Sequence, residues 1–81
     1  NEPTEFEFDY INDGIKYWYS FSATKQKIVR ESLYHAPKGQ KAQVFVREGQ
    51  KFTFTEDKAR RKLISEAVAE NQLFFSCMYN E

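Results

Sequence analysis
Residues 5–21 alternate with a period of two on either side of a short turn, and no other feature of this chain limits its fold as tightly. Phe6, Phe8 and Tyr10 fall on one side of the first run and Glu5, Glu7 and Asp9 on the other, which is how a half-buried strand reads. Asn12-Asp13-Gly14 follows, three residues that tolerate positive φ, so the chain is expected to reverse into a hairpin. In the returning run Ile15, Tyr17, Tyr19 and Phe21 alternate with Lys16, Trp18, Ser20 and Ser22, giving one aromatic face and one mixed face. Lys16 is placed to pair across the hairpin with an acid of the first strand, a contact worth about 0.2–1 kcal/mol that mainly fixes register.

Three more strands are expected. Residues 28–35 start β-branched and alternate Val29 and Leu33 with Arg30 and Ser32, after a polar turn at 23–27. Pro37-Lys38-Gly39-Gln40 breaks the chain, because proline cannot donate to a ladder and glycine permits the reversal. Residues 42–47 and 51–55 then flank Glu48-Gly49-Gln50 as a tight hairpin. The period changes over 56–70, where Ala59, Leu63, Ile64, Ala67 and Val68 recur at helical steps, so an amphipathic helix is expected there. Thr55 is the expected N-cap, Glu56 and Asp57 suit the first turn, and Asn71 is placed to end the helix. The apolar, aromatic run 73–79 is expected to return to the sheet or its edge. The fold class is therefore α+β, an antiparallel sheet of about five to six strands with one amphipathic helix near the C-terminus. At 81 residues the chain, 1–81, forms a single domain.

Composition excludes several classes. The single Cys77 cannot form an intramolecular disulfide, and with only His35 beside it there is no Cys/His zinc quartet. The apolar runs are a few residues long, against roughly twenty needed to span a bilayer. Twelve basic residues balance twelve acidic ones, so the whole chain lacks the footprint of a dedicated nucleic-acid binder. The distribution is nonetheless bipolar: Glu2, Glu5, Glu7, Asp9 and Asp13 precede the first basic residue, and all basic residues fall between Lys16 and Lys62. Lys58, Arg60, Arg61 and Lys62 form a stripe that could contact phosphates, with Trp18 or a tyrosine as a stacking platform for single-stranded nucleic acid. A solvated helix face, with Glu66 four residues after Lys62, accounts for the same stripe and is the preferred reading.

No catalytic constellation stands out. His35 sits beside Tyr34 and Pro37 at an expected strand end, and no nucleophile-elbow sequence surrounds a serine. Cys77, among Phe75, Ser76 and Met78, reads as a small core or edge residue rather than a reactive thiol. Gly14, Gly39 and Gly49 are isolated turn glycines, and the G-x-x-x-x-G-K-[ST] phosphate loop is not in the sequence. No catalytic, cofactor-binding or metal-binding residue is assigned.

Whole phrases of the chain resemble a known family. Thr4-Glu5-Phe6-Glu7-Phe8, then Asn12-Asp13-Gly14-Ile15-Lys16-Tyr17-Trp18-Tyr19-Ser20-Phe21, then Lys27-Ile28-Val29-Arg30-Glu31-Ser32-Leu33-Tyr34 occur in its order. So do Pro37-Lys38-Gly39, the hairpin Val44-Phe45-Val46-Arg47-Glu48-Gly49-Gln50, Lys62-Leu63-Ile64-Ser65-Glu66 and Glu70-Asn71-Gln72-Leu73-Phe74-Phe75-Ser76. Over nearly its entire length the chain resembles the bacterial ABC-like AAA ATPases of the ATP/GTP phosphatase or abortive-infection type, related to overcoming-lysogenization-defect nucleases and SMC-type ATPases. The resemblance implies an antiparallel β subdomain that follows the Walker A helix and packs beside the ATP-binding core of a longer protein. That parent would bind and hydrolyse ATP with Mg²⁺, pair its ATPase heads around nucleotide, and act in the cytoplasm without a membrane partner. Walker A would lie upstream, and the signature motif, Walker B and switch histidine downstream. Nucleic acid would be met only through other parts of the parent. Where the family often carries a glutamine near metal and water, this chain has Cys77, Met78, Tyr79 and Asn80, so that role is not transferred.

A chain that starts at Asn1-Glu2-Pro3 and stops just past Leu73-Phe74-Phe75 also reads as cut from a longer protein, with an open strand edge and some exposed apolar surface expected. Two other classes stay open: an independent interaction module using the edge of the last strand, and a nucleic-acid module on the basic helix.

Overall fold
The structure is a computed structural model that describes residues 2–55 and 58–79. Five strands form one antiparallel meander in the order β1-β2-β3-β4-β5, with β1 at Thr4–Asn12, β2 at Ile15–Ala23, β3 at Ile28–His35, β4 at Ala42–Glu48 and β5 at Lys51–Phe54. Two short helices, α1 at Lys58–Glu66 and α2 at Phe74–Tyr79, complete the α+β fold.

The first hairpin closes as its alternation requires. Asn12 pairs with Ile15, and the two residues between them, Asp13 and Gly14, both take positive φ (53° and 76°), the backbone of a two-residue I′ turn. Phe6 then faces Phe21, Phe8 faces Tyr19 and Tyr10 faces Tyr17, so every aromatic pair shares one face. Phe6 stacks on Phe21 at 4.7 Å between centroids and Tyr10 on Tyr17 at 5.0 Å. Lys16 reaches Asp9 at 3.8 Å on the other face. Register carries the aromatic face across the sheet: Tyr19 faces Leu33, Leu33 faces Phe45, and Phe45 faces Phe54. Both helices lie on this side, where Tyr19, Leu33, Val44, Phe45, Val68, Phe74 and Met78 are the buried core.

The C-terminal third departs from expectation in two places. α1 ends at Glu66 rather than at Asn71, buries no residue, and leaves Leu63 70% exposed, so its amphipathic character is weak. The expected positions at Glu56 and Asp57 lie outside the described residues. The reason for the early end lies in β4. Arg47 is fully buried and takes the carbonyls of Ala69, Glu70 and Gln72, which a continued helix would have engaged internally. Val68 consequently leaves helical geometry and enters the core, with its carbonyl held by Gln50 at 2.8 Å.

The run 73–79 does not return to the sheet. It forms α2, because the Glu31 carboxylate accepts the backbone N–H groups of Phe74 and Phe75, both at 2.8 Å, and so caps the helix from a neighbouring strand. Phe74 and Met78, one turn apart, are both buried. The sheet therefore has five strands rather than six, and its two edges are β1 and β5, not the last segment of the chain.

Candidate functional site
The helices cover the sheet unevenly. Phe74 packs against Phe45, Phe52 and Phe54, over the β4–β5 half. Beyond Phe75, which lies 4.4 Å from Tyr19 and edge-on to Tyr10, the aromatic face of β1 and β2 continues without cover among the described residues. An open trough of about 530 Å³ runs there, lined by Phe8, Tyr10, Tyr19, Phe21, Leu73 and Phe75. Phe6 and Phe8 are 41% and 54% exposed beside it. Contiguous exposed aromatic surface of this kind marks a contact face more often than isolated exposed residues do.

A buried ion pair holds one wall of the trough in place. The Glu31 carboxylate accepts four hydrogen bonds: from Tyr19 Oη at 2.7 Å, from Arg47 Nη1 at 3.2 Å, and from the two N–H groups of α2. Arg47 in turn donates Nε to the Gly49 carbonyl and Nη2 to Gln50 Oε1, both at 2.7 Å, and its guanidinium lies over the Phe52 ring. Each charge is saturated, which is the condition under which a buried pair is tolerated. Burial, and after it the Glu31 carboxylate, pushes the Tyr19 hydroxyl well above the ordinary tyrosine range. The pair fixes α2, and α2 carries Phe75 to its place beside Tyr10 and Tyr19. This pair escapes a reading by alternation alone, yet it leaves a trace in the sequence. Glu31 precedes Leu33, and Arg47 follows Phe45, at two-residue steps, so one acid and one base occupy core-facing positions on adjacent strands.

The basic stripe and Trp18 are not brought together. Lys58 and Lys62 line a shallow pocket with Gln50, Phe52, Phe54, Ser65 and Glu66, on the helix side. Lys58, Arg60 and Lys62 are exposed, whereas Arg61 is half-buried, with its Nε and Nη1 enclosed and making no hydrogen bond among the described residues. Trp18 faces Tyr34 and Asp9 in register, on the opposite side of the sheet. There Lys41 lies over its ring at 4.9 Å and Lys16 at 5.2 Å, so its π-surface already meets the chain's own cations. Around it, Glu7, Asp9, Arg30 and the Ser20–Ser32 hydroxyl pair line a recess of about 260 Å³.

His35 ends β3, tilted against Tyr17, and Cys77 is half-buried against the core. Among the described residues no group of three or more His, Cys, Asp or Glu could hold a metal ion, and no helix is long and apolar enough to cross a membrane. The arrangement offers an aromatic contact face, a bare strand edge and a polar recess. No family model matches this chain, and neither a curated protein nor a solved structure is significantly similar to it.

Proposed function
We propose that this chain is the non-catalytic β subdomain of an ABC-like AAA ATPase, supporting ATP binding and hydrolysis by the rest of that protein. The observation that carries the reading is the half-covered sheet. The antiparallel meander presents the open face of Phe6, Phe8, Tyr10 and Phe21, with Leu73 and Phe75, as a ready surface for a neighbouring lobe. The ordered phrases that resemble the family span the same strands that build this face. On this reading the aromatic face packs beside the nucleotide-binding core, and ATP and Mg²⁺ are held entirely by that core.

Phosphoryl transfer needs a cradle for the phosphates and carboxylates for the metal, and this sequence has no phosphate loop to supply the first. The purified chain is therefore expected to show no Mg²⁺-dependent ATP turnover above a no-protein control; clear turnover would sink the assignment. Sequencing the reading frame on both sides tests it directly. A phosphate-loop motif within about a hundred residues upstream and a Walker B strand downstream are expected, and a frame with neither rejects the ATPase reading.

A further inference from the structure
The two edges of the sheet are built differently. β5 is four residues long and has α1 packed alongside it. β1 is nine residues long, pairs with β2 alone among the described residues, and is exposed along almost all of its length. Every second residue of such a strand directs its N–H and C=O away from the sheet, which leaves about four residues of β1 with unpaired backbone groups. Natural edges are usually blunted by shortness, bulges, proline or charged side chains within the strand, and of these β1 carries only the charges, Glu5, Glu7 and Asp9, all of one sign, between Thr4 and Asn12.

The side chains of β1 select among strands that could pair there. Glu5, Glu7 and Asp9 form a row of carboxylates on one face, and Phe6, Phe8 and Tyr10 a row of rings on the other. Lys16 partly offsets Asp9, while Glu5 and Glu7 make no ion pair among the described residues. A second copy of the chain pairing β1 against β1 would bring carboxylates together along that face, and like charges directly opposite destabilise a ladder. A strand with basic residues at alternate positions would set each of them beside a carboxylate, and its apolar residues would extend the aromatic row.

We infer that β1 is a strand-addition site for an extended segment of another polypeptide that alternates Lys or Arg with apolar residues. Its affinity comes from main-chain hydrogen bonds along the open edge, and its selectivity from the carboxylate row. This edge contact is distinct from packing against the aromatic face and does not depend on the ATPase reading.

The test uses the isotope-labelled chain and capped peptides alternating lysine with valine or glutamate with valine. The lysine peptide is expected to bind saturably, with amide shifts and exchange protection centred on Thr4–Asn12, and the glutamate peptide to leave the spectrum unchanged. The double substitution Glu5→Lys/Glu7→Lys, at two exposed positions, should reverse the preference by roughly tenfold in each direction. A lysine peptide N-methylated at alternate residues should not bind, since it can no longer donate to the edge. Equal binding of both peptides, undiminished binding of the methylated one, or shifts centred on Trp18 and Lys41 would each overturn the inference. So would concentration-dependent self-association through β1 that the lysine peptide does not displace, which would make a second copy the occupant. Should the charge-reversed chain fail to fold, the three peptides on the unaltered chain still decide the question.

Discussion

At the scale of single residues, Glu31 and Arg47 are the pair on which the helical layer depends. Arg47 alone draws three carbonyls of the 69–72 segment, a glycine carbonyl, Gln50 and Glu31 toward one buried point. Removing one partner strands the other charge in the core, a loss of about 3–5 kcal/mol. Arg47→Met is expected to cost that much in urea denaturation, and Glu31→Gln/Arg47→Met to cost less than the two single changes combined, because the two residues share one network. Tyr19 makes a second prediction through pH. Its hydroxyl stays protonated in the folded chain beyond the ordinary value of about 10, whereas in the unfolded chain it ionises there. The unfolded state therefore loses the proton first, and the stability associated with Tyr19 is complete below about pH 10 and falls as the pH rises above it. Denaturation midpoints taken from pH 7 to 11 should drop above pH 10, and Tyr19→Phe should flatten that drop.

At the scale of elements, the first hairpin depends on two consecutive residues with positive φ. A Cβ on Gly14 would meet nothing within 4 Å, so any cost of adding one is conformational rather than steric. Gly14→Ala is accordingly expected to lower stability by about 1–2 kcal/mol, and Gly14→Asn by less, since asparagine adopts this backbone more readily; thermal midpoints of the two variants check the order. The strands were legible for the same reason the turn is: alternation and turn chemistry act within a few residues, so β1 to β5 and the Lys16–Asp9 contact can be read locally. The helical region was legible only in part. α1 stops early because Arg47, remote in sequence, needs backbone carbonyls from 69–72, and α2 forms because Glu31, more than forty residues away, accepts its first N–H groups. The apolar run 73–79 fits a strand as well as a short helix, and periodicity cannot separate the two. The aromatic half of the candidate face was readable from residues 6–21, but its wall at Leu73 and Phe75 depends on that long-range cap. The basic stripe and Trp18, adjacent in a composition argument, are parted by the two faces of one sheet.

At the scale of the whole molecule, the core sits off-centre in a slab. The radius of gyration is 12.7 Å, against about 11.7 Å for a compact chain of this length, and the shortest dimension is 19 Å. The accessible surface is 5725 Å², where a compact monomer of this mass exposes about 5100 Å². A sheet with helices over one half explains both departures. Aromatic rings are therefore divided between two roles, and substitution should tell them apart. Phe74 is fully buried among Phe45, Phe52 and Phe54, so Phe74→Ala opens a cavity and is expected to cost about 3–5 kcal/mol. Phe8 is more than half exposed and stacks only loosely on Tyr19, at 6.5 Å, so Phe8→Ala is expected to change stability by less than about 1 kcal/mol. The same Phe8→Ala chain should bind less of a dye that reports exposed apolar surface, because the ring it removes belongs to the uncovered trough. A large loss of stability at Phe8 with no change in dye binding would place that ring in the core, and the uncovered aromatic face would have to be abandoned as a contact surface.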